Sequence, residues 1–411
     1  VDIDDAASRQ ALAALGGWVA RRNRLPQDRA DLLAAAWWAG IRNVAALARA
    51  ADVRRDTVYA DLRSRGIDAA DRQARIAPVQ DIPLDYQPIA RGEGAFQESL
   101  TGEEIRAVMR RVFGAGCQVT SAVELGAGMY NSTYRVQVAG AEPVILRVAP
   151  EPGRQFRSER ELMRNELASV PWLTPIAALM PRVIAADWSH TVIGRDYMVQ
   201  SLLAGVPAPE RLSEYPRRIW GGYFAQLGEI TAAVHAVRGP HFGPVAGPGH
   251  ATWSQAVLAS LEDIAADVDS VGLDAADLRK VAAVAAEHRA VLDEVTEPRL
   301  LTGDLWTVNV MLSDTAPAPM ISGVLDFDRT WFGEVSADWT VRMATAKDDE
   351  RRGFWDGYGR LDRTSPGAVL RSRIYEARHV GALRLERFRL GHHDAVTRSY
   401  QEMAAVVSAL T

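Results

Sequence analysis

Asp304 and Asn309 stand five positions apart in the stretch Leu301-Thr302-Gly303-Asp304-Leu305-Trp306-Thr307-Val308-Asn309-Val310-Met311-Leu312. Asp326 follows Asn309 by 17 positions, after the apolar run Ile321-Ser322-Gly323-Val324-Leu325 and ahead of Phe327 and Asp328. These residue types, in this order, suit phosphoryl transfer from a magnesium nucleotide. One carboxylate, Asp304, accepts a hydrogen bond and then a proton from an acceptor hydroxyl. An amide oxygen, Asn309, and a second carboxylate, Asp326, hold the cation that bridges the phosphates. Taken singly, each would read as a turn residue, because Asp and Asn are common in turns. The ordered set, Asp-x4-Asn and then an apolar strand ending in Asp-Phe-Asp, carries the reading.

Such a centre needs a device upstream that holds phosphate. The run Val123 to Val138 reads as a strand, a turn bearing Gly126 and Gly128, and a second strand. Glycines there let the backbone bend closely over phosphates. Val144-Ile145-Leu146-Arg147-Val148 is an apolar strand interrupted by one cation, and a cation in such a strand needs an anionic partner. A permanently charged Arg147 can bind phosphate by two parallel hydrogen bonds; an Arg147 at a sheet edge would instead reach solvent.

The segment from Leu301 to Asp328 resembles the catalytic and metal loops of the aminoglycoside phosphotransferase family, small-molecule kinases with a protein-kinase-like fold. That family's pattern is His-Gly-Asp-Leu-x-x-x-Asn-x-Leu and then Ile/Val-Asp-Phe/Trp-Asp/Glu. Thr302 stands where the family usually has His, a residue that orients the loop there, so activity is expected to survive. Trp331 to Trp339 resembles the family's Gly-Asp-Pro-x-x-Asp segment, which makes Asp338 a structural carboxylate bracing the catalytic loop. Asn131-Ser132-Thr133 resembles the end of the family's nucleotide loop. By the same resemblance Arg147 takes the place of the phosphate-binding Lys of protein kinases. Its acidic partner is expected on a helix running through Arg157 to Leu173, with Glu166 favoured and Glu159 and Glu161 as alternatives. Tyr197 to Gly205 resembles the strand and hinge between the lobes, where the backbone around Gln200 and Leu202 would meet the purine of ATP or GTP.

The resemblance implies an α+β fold, a two-lobe protein-kinase-like domain, over roughly residues 100 to 411. The N-lobe would span 100–203, and the C-lobe, with the catalytic loop and acceptor site, 204–411. Trp220 to His235 is expected as a core helix with His235 packed or capping. Trp355, Tyr358, Arg371, Tyr375, Arg378 and His379 are candidates to line the acceptor cleft. The implied reaction moves the γ-phosphoryl group of Mg²⁺-ATP or Mg²⁺-GTP to a hydroxyl of an aminoglycoside-like antibiotic. The alternatives are a metabolic kinase of the same fold and a DNA-binding regulator that senses ligand without turnover.

Composition sets the remaining bounds. With 411 residues, 48% hydrophobic and 24% charged, the chain can bury large cores. Its net charge of −5 gives no general pull toward nucleic acid. Cys117 is the only cysteine, so no internal disulfide forms and a cytoplasmic setting is expected. No apolar run is long enough to span a bilayer.

Residues 1 to 76 differ from the rest, with 13 Arg, 10 Asp and neither Lys nor Glu. They are read as a small all-α, helix-turn-helix-like domain, joined by a Pro-bearing linker at 77–99. Ser8 to Arg22 is a first expected helix. Pro26 opens a second, with Leu32, Leu33, Ala36 and Trp37 as its stripe and Gly40 as its end. Residues 43 to 65 read as helix, tight turn, helix. Val58 and Leu62 face the core there, which leaves Arg54, Arg55, Thr57, Tyr59 and Arg63 at the start or the outer side of the second helix. That arrangement suits duplex DNA, with a homodimer supplying a two-part site; a docking bundle is the alternative.

Overall fold

The computed structural model describes residues 25–34, 36–37, 41, 43–65, 67, 69, 82–92, 95–126, 128–347 and 350–410. The expected helix from Ser8 to Arg22 and the helix end at Gly40 lie outside the described residues. By its internal contacts the chain divides into two compact units, the first holding most of the residues up to Arg147 and the second most of those beyond.

In the first unit the helix Val44–Ala50 begins at Asn43, whose side chain accepts from the amides of Ala45 and Ala46. That satisfies two of the amides a helix start leaves without partners. Asp52 turns the chain at a φ of 49°, and a second helix, Arg55–Ser64, follows. Leu33, Leu47, Ala48, Val58 and Leu62 form one small core, with Val53 packed against it. Arg29 pairs with Asp61 at 2.7 Å and Arg65 with Asp31 at 2.6 Å, tying residues 25–34 to the second helix.

Further along the same unit, strands β1 (Asp85–Gln87), β2 (Val119–Leu125), β3 (Ser132–Val138) and β4 (Val144–Val148) lie side by side in that order. β1 comes from the stretch read as linker and pairs parallel to β2; β2 and β3 form an antiparallel hairpin. Thr101 and Glu104 cap the helix Gly102–Phe113 reciprocally, as their spacing predicts. Ile105, Val108 and Met109 are its buried face.

The second unit carries the remaining strands: β5 (Val183–Asp187), β6 (Tyr197–Ser201), β7 (Val206–Pro207), β8 (Gly243–Pro244), β9 (Arg299–Leu301), β10 (Val310–Leu312), β11 (Ile321–Val324) and β12 (Trp331–Gly333). β5 and β6 pair antiparallel. Two three-stranded sheets follow, in the orders β11-β10-β7 and β8-β12-β9. One apolar core collects Tyr223, Leu227 and Val234 of the helix Trp220–His235 with Leu305, Val310, Val324 and Phe327. A second joins the helices Trp253–Ser270, Ala276–Glu287 and Pro366–Arg389.

One expected element is shorter than the sequence predicts. In place of a helix through Arg157 to Leu173 there is a single turn at Arg157–Glu159, then Glu161 at a φ of 57°, then the helix Leu162–Ser169. The amides of Arg157 and Ser158 donate to the Asp267 carboxylate, each at 2.8 Å. Glu159 is drawn to Arg329 and Arg389. These long-range partners outweigh the local helical preference.

Candidate active site

Two pairs of strands bring the loops of the second unit together. β9 enters the loop of Asp304 and β10 leaves it; β11 enters the loop of Asp326 and β12 leaves it. β9 pairs with β12 through Leu301 and Trp331, and β10 pairs with β11 through Val310 and Val324. Each loop is thus clamped to the other at both ends. The Leu325 amide donates to the Asn309 carbonyl at 3.0 Å, next to Asp326. Asp326 adopts a φ of 68°, a left-handed backbone that is uncommon outside glycine. Outliers of this kind cluster at ligand and metal sites.

Within its own loop, Asp304 is fixed through the backbone. Asn309 Nδ2 donates to the Asp304 carbonyl at 2.8 Å, which commits the amide's nitrogen and leaves its oxygen as the group suited to a cation. The preceding Gly303 has a φ of 81°, and a Cβ there would lie 2.4 Å from the Arg329 carbonyl. No other residue fits that place unstrained. The Asp304 carboxyl is half-buried and has no hydrogen-bond partner among the described residues. Burial pushes it up to about 7. The Arg329 guanidinium opposes that rise, and the carboxylates of Asp326, Glu386 and Asp338 add to it. A carboxyl balanced near neutrality and free to accept is the form a general base takes.

Behind the loop, Asp338 is 1% exposed and gathers several donors. It accepts from the Thr302 amide at 2.5 Å and from Thr302 Oγ1 at 2.8 Å. His235 Nε2 lies 2.8 Å from the same carboxylate, and its Nδ1 lies 2.8 Å from the Tyr358 hydroxyl. A neutral imidazole that donates from Nε2 to the carboxylate accepts at Nδ1 from the phenol. Asp338 thus holds the start of the catalytic loop, as expected, and His235 is packed rather than exposed. Thr302, with none of its surface exposed, reaches this carboxylate through its hydroxyl.

The second loop has its own anchor, one that sequence reasoning missed. Asn165, on the helix Leu162–Ser169, donates to the carbonyls of Asp328 and Thr330, each at 2.9 Å, and accepts from the Ala246 amide at 2.8 Å. Arg329, beside it, pairs with Glu159 at 2.9 Å. No spacing rule joins residues more than 160 positions apart. Arg329 was visible only as one charge next to an Asp-Phe-Asp.

The other candidate residues fall as follows. Gly126, Gly128, Asn131, Ser132 and Arg147 belong to the first unit. Gly126 lacks a left-handed φ; a Cβ there would meet Ile89 Cδ1 at 3.1 Å. Ser132 Oγ donates to the Glu98 carbonyl at 3.1 Å, and Arg147 is 8% exposed, which removes the reading of a sheet-edge cation in solvent. Glu166 is buried in the second unit, with Gln200 Nε2 at 3.5 Å. Gln200 is buried, whereas the Leu202 side chain is exposed. Glu161 pairs with Arg164 at 3.0 Å. Of the six acceptor-cleft candidates, Tyr375, Arg378 and His379 line one cleft together with Gly303 and Arg329. Tyr358 and Trp355 pack against each other instead, and Arg371 pairs with Glu334 and Glu294.

Among the described residues no cluster of three or more His, Cys, Asp or Glu is arranged to hold a metal. One carboxylate and one amide oxygen suit Mg²⁺ that arrives with phosphates and keeps several waters. No helix among the described residues is long and apolar enough to cross a membrane.

The APH family model, described as the phosphotransferase enzyme family, matches residues 121–370. No curated protein matches the chain. Among solved structures, aminoglycoside phosphotransferase APH(4)-Ia is similar with a TM-score of 0.52 at 17% identity, over 75% of this chain and 99% of that one. The GDP complex of wild-type aminoglycoside 2'-phosphotransferase-IIIa is similar with a TM-score of 0.52 at 15% identity, over 76% and 100%. At these identities the likeness is one of fold, the two-lobe kinase-like fold expected from the sequence. The family match covers well over half of the chain and includes the Asp304, Asn309 and Asp326 loops, so the protein belongs to the phosphotransferase enzyme family.

Proposed function

We propose that this protein transfers the γ-phosphoryl group of a magnesium nucleotide, ATP or GTP, to a hydroxyl of a small molecule. The observation that carries this reading is the Asp304 carboxyl: half-buried, without a hydrogen-bond partner among the described residues, pushed up to about 7, and clamped beside Asn309 and Asp326. In the proposed step the acceptor oxygen forms a bond to the γ-phosphorus. The bond from that phosphorus to the bridging oxygen breaks, nucleoside diphosphate leaves, and the hydroxyl proton passes to Asp304. Asn309 and Asp326 are assigned to the cation, which when bound offsets charge on the phosphates. The turn at Gly126, Gly128, Asn131 and Ser132, together with Arg147, is assigned to the phosphates. Glu166 is assigned to orienting Arg147, and the backbone at Gln200 and Leu202 to the purine. The cytoplasm, where such nucleotides are available, is the proposed setting.

Two acceptor classes follow from the resemblance: aminoglycoside-like antibiotics and hydroxyl-bearing metabolites. The test is mass spectrometry of a compound panel from both classes, incubated with the protein, Mg²⁺ and either nucleotide. A mass gain of one phosphoryl group that requires Mg²⁺ supports the reading. Binding of nucleotide and acceptors without any transfer would favour a sensor instead.

A separate observation favours a second activity for residues 1–76. Arg54, Arg55 and Arg63 are exposed on the helix Arg55–Ser64 or at its start, while Val58 and Leu62 are fully buried. Asp61 on that helix is already paired with Arg29, so it offsets little of this charge. We propose that this face binds duplex DNA, with a homodimer needed for a two-part site. The measurement is a salt-titrated binding assay on random and genomic duplexes.

A further inference from the structure

The helix Pro366–Arg389 turns four arginines inward, and three of them meet carboxylates. Arg371 pairs with Glu334 and Glu294, Arg384 with Asp277, and Arg389 with Glu159. Arg378 does not. Its Nε donates to Ser260 Oγ at 2.6 Å, its guanidinium lies 4.6 Å from the Trp331 ring centre, and among the described residues it has no ion pair. Burial, and then the Arg329 cation, push it down to about 10, so it is still charged at neutral pH. A cation held mostly out of water without an anion is costly, and native structures pair such groups; Arg378 is half-buried. A hydroxyl and one aromatic face are partial compensation for a group with five N–H donors.

Arg378 lines a cleft with Gly303, Arg329, Trp331, Asp338, Trp339 and Tyr375; the Asp338 carboxylate there is already engaged by Thr302 and His235. Gly303 is the residue before Asp304, so the cleft adjoins the catalytic loop. Its volume is about 40 Å³, where a single water needs roughly 10–15 Å³. That admits one carboxylate- or phosphate-sized group between aromatic walls, beside the Arg378 guanidinium, with Arg329 already paired to Glu159. A polycationic acceptor would gain nothing from it.

We propose that Arg378 is the anion-binding residue of the acceptor site: the molecule phosphorylated carries a carboxylate or phosphate group that enters this cleft and pairs with the guanidinium while its hydroxyl lies at Asp304. This rests on the phosphotransferase reading, and it narrows the acceptor to hydroxyl compounds bearing an anionic group. The pairing supplies the counter-charge that the fold omits, and a planar guanidinium suits a carboxylate through two parallel hydrogen bonds.

The test has a binding arm that needs no turnover. Calorimetry on the full chain compares glycerate and inorganic phosphate with neutral glycerol and cationic ethanolamine. The proposal expects binding of an anion only, weakened roughly 10- to 100-fold in Arg378→Met, the scale of losing hydrogen bonds to a charged group. Glycerate binding in preference to phosphate assigns the site to carboxylates, and the reverse order assigns it to phosphates. If Arg378→Met fails to fold, Arg378→Lys carries the test. That variant keeps the charge and loses the paired donors, so weaker anion binding at unchanged melting temperature supports the proposal.

The turnover arm presents hydroxyl compounds of the three charge classes, aminoglycosides included, with Mg²⁺ and nucleotide. The expectation is transfer to anionic acceptors, with KM raised by the same factor in Arg378→Met and kcat within a few-fold. Anion binding that ignores both substitutions, or transfer confined to neutral or cationic acceptors, overturns the proposal while leaving the kinase reading intact. Arg378-dependent anion binding without transfer to any class keeps the anion site and removes the kinase reading.

Discussion

Replacing Asp304 with Asn should stabilise the protein at alkaline pH while stopping its chemistry. The Asp304 carboxyl is pushed from 3.8 to about 7, chiefly by burial and with Asp326, Glu386 and Asp338 adding to it against Arg329. Between those two values the folded chain holds a proton that the unfolded chain has released. Stability therefore falls as pH climbs through this window, and the full penalty is present above about 7. A rise of that size corresponds to about 4 kcal/mol as an upper bound. Relaxation of the loop and entry of water reduce it, so a gain of about 1–4 kcal/mol at pH 8 is expected for Asp304→Asn. Near pH 4 the gain should shrink to about 0.5 kcal/mol, because the folded carboxyl is then protonated and the unfolded one about half so, and it should vanish only below about pH 3. Chemical denaturation of both proteins at pH 8, 6 and 4 reads this directly. Asn keeps the volume and leaves the Asn309 bond to the residue-304 carbonyl untouched, so packing changes little. A variant no more stable than wild type at pH 8, or equally stabilised at every pH, would refute the argument that burial of an ionised Asp304 is what sets its proton affinity.

The same carboxyl governs the pH profile of turnover: kcat/KM should rise about tenfold per pH unit below 7 and level off above it, measured by coupled nucleoside diphosphate release once an acceptor is known. A flat profile from pH 5 to 8 would remove Asp304 as the base. Asp326→Ala should weaken magnesium-dependent nucleotide binding more than acceptor binding, and calorimetry showing unchanged affinity would contradict its assignment to the cation. Thr302→Val should cost about 1–3 kcal/mol, because it leaves the buried Asp338 carboxylate short of a donor; an unchanged melting curve would show that His235 and the remaining amides suffice. Gly303→Ala should lose most activity, since its φ of 81° and the Arg329 carbonyl leave no room for a Cβ, and normal turnover in that variant would mean the loop can move. Arg54→Ala with Arg55→Ala should weaken duplex binding and reduce its salt dependence without changing phosphoryl transfer, and no binding by the unsubstituted protein even at low salt would favour a docking bundle.

How far the sequence revealed the site depended on whether chemistry or folding chose each residue. That the loops of Asp304, Asn309 and Asp326 belong together was legible from their order and spacing, and the paired strands bring those loops side by side. The capping box at Thr101 and Glu104 was legible because both partners lie within one turn. Asp338 could be assigned through resemblance, but the identity of its donors could not. His235 reaches it from 103 residues away and Tyr358 supports His235 from 123. Asn165 and Glu159, which hold the Asp326 loop and Arg329, look in sequence like ordinary polar positions of one helix. Their partners lie more than 160 residues on, and the pull of those partners also breaks the helix expected through Glu161. Arg378 was visible as one cation among many. Only the structure shows that, among the described residues, Arg371, Arg384 and Arg389 on the same helix meet carboxylates and Arg378 does not.

The central claim is transfer of phosphate to a small-molecule hydroxyl at Asp304. The most direct measurement is mass spectrometry of an acceptor panel incubated with Mg²⁺ and ATP or GTP, run in parallel with wild-type protein and Asp304→Asn. The account predicts an acceptor that gains one phosphoryl group with the wild type, only when Mg²⁺ is present, and at a rate about 10² to 10⁴ lower with the variant. Equal transfer by the two proteins, or no transfer from either nucleotide to any hydroxyl compound that the wild type binds, would contradict it.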